Sequence, residues 1–186
     1  MRIISGIAKG KKILQPLDKK TRPLKDIVRE SIFNILSHSS LLEKKLDNCL
    51  ILDLFSGIGS FGLEAISRGA AKVVFFDNYE KSINILKKNI NILSFDGKAE
   101  IIKGDLYNQV VFDNLQYKFD IIFIDPPFKD EQISIVIDNI IKCGILTSKT
   151  LIIIHRKKNE FQEIEKKLKI IREEKYGLST IFFCNF

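Results

Sequence analysis

The sequence is poor in the residues that build metal centres and disulfide frameworks. Its three cysteines, Cys49, Cys143 and Cys184, are far apart with no C-x-x-C pair, and its two histidines are His38 and His155. That count argues against a disulfide scaffold and against a zinc site, so no metal is expected. The cysteines read as small buried hydrophobes in a reducing compartment. No uncharged stretch approaches the ~20 apolar residues a membrane span requires. The opening MRIISGIAKGKK has no apolar signal-peptide core. A soluble, cytoplasmic protein with no membrane partner is the expectation.

What is present supports a single domain. The 186 residues are 45% hydrophobic and 28% charged, enough to bury a core and unlike a disordered chain. The net charge of +7 has a location. Residues 1–29 hold nine basic groups and two acids, whereas residues 30–186 hold 21 of each. A neutral body with a basic extension suits a polyanionic partner, most simply nucleic acid, because cations near phosphates release condensed counterions. A merely solvated basic surface is the competing reading.

From Leu50 onward, short β-rich runs alternate with segments of helical period. LILDLF (50–55), KVVFF (72–76), AEIIK (99–103), FDIIFI (119–124) and TLIII (150–154) have the length of buried strands. Between them, Ile83, Leu86, Ile90 and Leu93 share one helical face, and Phe161, Ile164 and Leu168 repeat the spacing. Strands alternating with helices predict a parallel sheet covered on both faces. IIREEKYG and STIFFCNF, separated by Gly177, read as a closing β-hairpin. Before Leu50, RIIS and KKILQP suggest a small hairpin around Gly6 and Gly10. A helix over KDIVRESIFNIL follows, with Lys25, Arg29 and Glu30 toward solvent. The expected organisation is a basic extension (1–49) packed on an α/β domain (50–186).

The first strand runs into DLFSGIGSFG, where Gly57-Ile58-Gly59-Ser60-Phe61-Gly62 satisfies G-x-G-x-x-G. That pattern is usually read as a dinucleotide turn, and in such a sheet ligands sit beyond the carboxyl ends of the strands. Asp53 complicates the reading, since a buried carboxylate there repels a pyrophosphate. S-adenosylmethionine carries an ammonium and a sulfonium in place of phosphates, and Asp53 suits its methionine end. Asp77 closes the second strand and can accept from ribose hydroxyls in either cofactor class. Asp105 follows the third strand and can accept from an adenine amine. The fourth strand ends in Asp125-Pro126-Pro127-Phe128, where two prolines stop the strand. A rigid turn explains the prolines alone. Beside a cofactor crevice, however, Asp125 and a backbone carbonyl can hold both N–H groups of an exocyclic amine while Phe128 stacks its base. Methyl transfer then needs positioning more than proton transfer.

On these residues the chain resembles the class I, Rossmann-like S-adenosylmethionine-dependent methyltransferases that modify amines. More narrowly it is similar to the RsmD family, which methylates a guanine N2 amine in bacterial 16S ribosomal RNA. RIISGIAKGKKI, RPLKDIVRESIFNIL, DLFSGIGSFGLEAISRGA, FDNYEKSINILKKNI and FDIIFIDPPF carry the resemblance nearly end to end. It implies a mostly parallel seven-stranded sheet with a C-terminal antiparallel hairpin. It implies S-adenosylmethionine held by Asp53, Phe55, Ser56, Gly57, Gly59, Asp77, Asn78, Asp105 and Leu106. Asp125, Pro126, Pro127 and Phe128 would orient the guanine, and Arg2, Lys9, Lys11, Lys12, Arg22 and Arg29 would contact RNA. The partner would be 16S ribosomal RNA in a partly assembled small subunit, met by a monomer. Two positions depart from the family pattern. Ile58 replaces a small residue, and His155-Arg156 ends the fifth strand where an acid is expected. Alternatives are a DNA adenine-N6 or protein glutamine methyltransferase, a nicotinamide-dependent oxidoreductase, and a non-enzymatic RNA-binding protein.

Overall fold

The computed structural model describes residues 1–16, 24–43, 45–113, 115–127, 129–157, 164 and 166–186. Seven strands form one sheet: β1 (Leu50–Leu54), β2 (Lys72–Asp77), β3 (Ala99–Lys103), β4 (Ile121–Ile124), β5 (Leu151–Lys157), β6 (Lys169–Tyr176) and β7 (Ser179–Asn185). Their order is β3-β2-β1-β4-β5-β7-β6. The first five are parallel, and β7 runs antiparallel between β5 and β6. The expected hairpin is therefore present, with β7 inserted beside the parallel strands and β6 at the edge.

Alternation along the strands builds two cores. Ile51, Val73, Phe75, Ile121, Phe123 and Ile153 face one side, together with the buried faces of three helices, α1 (Asp26–His38), α2 (Ser60–Ser67) and α3 (Glu80–Leu93). Leu52, Val74, Phe76, Ile122, Ile124 and Ile152 face the other, against α4 (Ile133–Lys142). In α3 the buried stripe includes Ile83, Leu86, Ile90 and Leu93, as its spacing predicts. Ile164 and Leu168 are buried too, while Phe161 lies outside the described residues. No helix among the described residues is long and apolar enough to cross a membrane. Cys49 and Cys184 are buried, and burial pushes the Cys184 thiol up to about 12. Cys143 is only half-buried, because it caps the exposed end of α4.

The N-terminal residues are bonded to the first face. Arg2 and Lys12 form an antiparallel bridge, and Gly6 and Gly10 take positive φ in the turn between them. Glu64 of α2, fully buried, accepts the Ile4 amide at 2.7 Å and the Ser5 amide at 3.0 Å. Ser67 accepts from the Ala8 amide and donates to the Ser5 carbonyl. A buried carboxylate needs this many donors to offset its lost hydration.

Candidate active site

Strand register assembles the site. Leu54 pairs with Phe76 on one side and with Ile124 on the other, and Ile124 pairs with Ile154. One residue further on, Phe55, Asp77, Asp125 and His155 stand at the same carboxyl edge. Side chains two apart in a strand share a face, so Asp53, Asp77, Asp125 and His155 fall on the α2 side of the sheet. Arg156 falls on the α4 side.

Asp53 is 1% exposed, and its Oδ2 accepts the Gly62 amide at 3.0 Å. The carboxylate thus satisfies one of the orphan donors in the first turn of α2. Burial pushes its carboxyl well above the ordinary range. The Gly62 hydrogen bond opposes that shift, and the charges of Asp125 and Asp77 add to it. An adjacent cation would reverse it.

The glycines divide by role. A Cβ on Gly59 would lie 2.4 Å from a Leu86 methyl, and one on Gly62 would lie 2.3 Å from the Phe75 ring. Packing leaves no room for a side chain at either, and Gly59 also takes a left-handed φ of 80°. Gly57 has φ of 56° and gives its amide to Asp77 Oδ2 at 2.7 Å. Ile58 is buried in the core, and its carbonyl accepts from Asn89. Its side chain belongs to packing, which accounts for a large residue at this place. The buried hydroxyl of Ser56 has no hydrogen-bond partner among the described residues.

Asp77 also accepts the Tyr79 amide through Oδ1 at 2.7 Å, and Asn78 beside it is exposed. Phe55 takes a left-handed φ of 57°, and its ring lies 6.0 Å from that of Tyr107. A non-glycine residue held in that region is locally strained, a feature that concentrates at functional loops. Asp105 is exposed and accepts the Tyr107 amide, whereas Leu106 is buried under α4, its carbonyl receiving Asn139.

The turn after β4 is held from β5 by two successive residues. His155 Nδ1 lies 2.7 Å from Asp125 Oδ1. Arg156, 3% exposed, donates to the carbonyls of Asp130 at 2.5 Å and Pro127 at 3.4 Å. Asp130 turns its amide back to the Pro127 carbonyl, and its carboxylate accepts the Tyr107 hydroxyl at 2.5 Å. Pro126 is buried and Pro127 exposed. Phe128 lies outside the described residues. Sequence reasoning gives neither β5 residue a role. Only the parallel register between β4 and β5 brings them to the turn that begins at Asp125.

Of the expected RNA contacts, Arg2, Lys9, Lys11 and Lys12 are exposed. Arg22 lies outside the described residues. Arg29 requires correction: its side chain is fully buried. It donates to the Arg2 carbonyl at 2.7 Å and to Asp26 at 3.0 Å, with Nε 3.8 Å from buried Glu64. Burial lowers its pKa, which Glu64 and Asp26 partly offset. It holds the N-terminal segment to the domain and presents no charge to a partner.

A 3-2-1-4-5-7-6 sheet with a reversed seventh strand, and a glycine loop after β1, is the class I methyltransferase fold. Within that class, residues 1–185 match the family described as Conserved hypothetical protein 95, and the chain belongs to it. The chain is 32% identical over 183 residues to a Bacillus subtilis protein named "Putative rRNA methyltransferase YlbH", covering 97% of this chain and 96% of that one. It is 35% identical over 147 residues to Ribosomal RNA small subunit methyltransferase D of Haemophilus influenzae, covering 75% and 72%. The solved structure titled "Putative methyltransferase yhhF from Escherichia coli" superposes with a TM-score of 0.78 at 28% identity, covering 100% of this chain and 97% of that one.

Proposed function

We propose that the protein transfers a methyl group from S-adenosylmethionine to the N2 amine of a guanine in 16S ribosomal RNA, within a partly assembled small subunit. The observation that carries this reading is the placement of Asp125 on the same face and edge as Asp53, beside a glycine loop. The relatives named as ribosomal RNA methyltransferases support the substrate class.

The residues at this sheet edge fit that cofactor on their own chemistry. Asp53 is a buried carboxyl that a cation would ionise, and Ser56 is a buried hydroxyl lacking a partner among the described residues. When bound, S-adenosylmethionine supplies an electrophilic methyl group on a sulfonium. Asp53 and the Ser56 hydroxyl would hold its methionine end, Asp77 its ribose and Asp105 its adenine, while the Ser56 and Gly57 amides are already given to the Phe76 carbonyl and to Asp77. Asp125 accepts one N–H of the guanine amine. The Pro127 carbonyl is already engaged by Asp130 and Arg156, so we assign the second N–H to the Pro126 carbonyl. Two acceptors draw the nitrogen toward tetrahedral geometry and localise its lone pair. Asp125, already accepting that hydrogen, takes the proton the nitrogen sheds after transfer.

The target base must leave its stack to reach this turn. The exposed cations Arg2, Lys9, Lys11 and Lys12 supply the phosphate contacts that bring it there. The test is incubation with tritiated S-adenosylmethionine and small-subunit precursors, protein-free 16S RNA, DNA or ribosomal protein, followed by mass-spectrometric mapping. Label on a guanine N2 of subunit particles, lost in Asp125→Ala, is the expected result. Label on adenine N6 or glutamine would overturn the guanine assignment. Equal labelling of naked RNA and particles would remove the assembled-subunit requirement.

A further inference from the structure

We propose that His155 is a positioning residue for methyl transfer, fixing the carboxylate of Asp125 in the orientation that receives the substrate amine. The inference rests on the role proposed above for Asp125.

An aspartate side chain does not orient itself. Rotation about its terminal sp³–sp² bond is broad, with no sharp staggered well to hold the carboxylate plane. Asp125 follows the last residue of β4, and two prolines after it supply no backbone N–H that a local turn could aim back at it. Something from another element has to set the plane. His155 does so at 2.7 Å, from a strand in fixed register with β4.

The bond assigns the hydrogen. An ionised carboxylate only accepts, so the imidazole carries its hydrogen on Nδ1 whether the ring is neutral or charged. Oδ1 of Asp125 is then committed to His155, and Oδ2 is left for the amine. The His155 side chain is 9% exposed and that of Asp125 20%, so the donor is sheltered while the acceptor stays reachable. Arg156 holds the following backbone through the Pro127 and Asp130 carbonyls. The two β5 residues thus fix different parts of one turn: His155 the carboxylate, Arg156 the main chain.

An acid at position 155 would face Asp125 across the same gap and repel it, with Asp53 already nearby. A donor at this place makes Asp125 a one-sided acceptor. An acid would leave its orientation to the substrate.

Two substitutions separate the donor from the bulk it occupies. His155→Phe keeps a ring in the pocket and removes the N–H, whereas His155→Asn loses volume and keeps an N–H near Nδ1. Methyl transfer to small-subunit particles is measured for both, with thermal melting and S-adenosylmethionine binding as controls. The expected result is a kcat lowered roughly 10- to 100-fold in His155→Phe, with KM and cofactor affinity nearly unchanged, as a misplaced reacting group produces. His155→Asn should retain most of the activity. A purely structural role predicts the reverse order. His155→Phe as active as wild type, or more active than His155→Asn, would overturn the proposal.

The pairing also has a readout without turnover. Imidazole 15N shifts of the full-length protein should place the His155 hydrogen on Nδ1 and should move in Asp125→Ala. A deprotonated Nδ1, or shifts indifferent to that substitution, would likewise overturn it. A wild type that methylates no RNA, with the expected imidazole shifts intact, would instead sink the substrate reading.

Discussion

The Nδ2 of Asn89 lies 3.3 Å from the carbonyl oxygen of Ile58, while its Oδ1 receives the Leu14 amide at 2.7 Å. One fully buried amide in α3 therefore joins the N-terminal segment to the middle of the glycine loop. Asn89→Ala leaves three polar groups, on Leu14 and Ile58, without this partner. The expected loss is about 1–3 kcal/mol of stability, together with weaker S-adenosylmethionine binding. Denaturant unfolding and calorimetric titration read the two effects separately.

Asp53 should destabilise the unliganded protein and strengthen ligand binding. Its folded pKa is raised, so the folded state favours the protonated form. Stability is then greatest below the ordinary carboxylate pKa and falls as pH rises toward the folded value. Asp53→Asn removes that fall. At neutral pH the unliganded variant should melt at or above the wild-type Tm yet bind S-adenosylmethionine more weakly. Melting curves taken from below the ordinary carboxylate pKa up to neutral pH, with and without ligand, test both halves.

The basic N-terminal residues should separate into two kinds. Lys11→Ala and Lys12→Ala remove exposed charges. Each cation withdrawn from a phosphate should flatten the salt dependence of RNA binding by about 0.7–0.9 in log–log slope. Arg29→Met instead strips buried Glu64 of a cationic neighbour. Glu64 keeps Arg68 at 2.7 Å and the Ile4 and Ser5 amides. The cost is therefore mainly the Arg2 carbonyl left without its donor, about 1–3 kcal/mol of stability, while any folded fraction keeps the wild-type salt slope. Filter binding across salt concentrations, paired with thermal melts, distinguishes them.

Two glycines in the same turn offer an internal control. Both have positive φ, 83° at Gly6 and 81° at Gly10. A Cβ on Gly6 would sit 1.8 Å from the Ser67 carbonyl oxygen, whereas one on Gly10 meets nothing within 4 Å. Gly10→Ala should cost only the left-handed penalty of ~1–2 kcal/mol. Gly6→Ala should cost more, because a backbone carbonyl cannot rotate aside. Equal Tm losses would contradict the docking described.

The strands and α3 are legible in the sequence because β-branched runs and a 3.6-residue stripe are local signals. The acids at the strand ends are legible because a parallel sheet brings its carboxyl ends to one edge. Arg29 misleads because the groups that hold it inside are distant in sequence, the Arg2 carbonyl 27 residues before it and Glu64 35 residues after it, with no local pattern linking them. His155 has no readable role because its meaning depends on which strand lies beside β5 and in what register. Gly59 and Gly62 suggest room for a ligand, yet the space they leave is filled by Leu86 and Phe75. A motif reports where small residues occur, and packing decides what they make room for.

The place of β7 has a bearing on synthesis. β6 pairs with β7 among the described strands, and β7 also covers the outer edge of β5. A ribosome delivers β1 to β5 first, then β6, and the strand that joins them afterward. Until Ser179–Asn185 emerges, the apolar row Leu151–Ile154 carries an open hydrogen-bonding edge. Such an edge is the kind that recruits strands from other chains. The interval between translating β5 and β7 is therefore when a nascent chain most needs shelter.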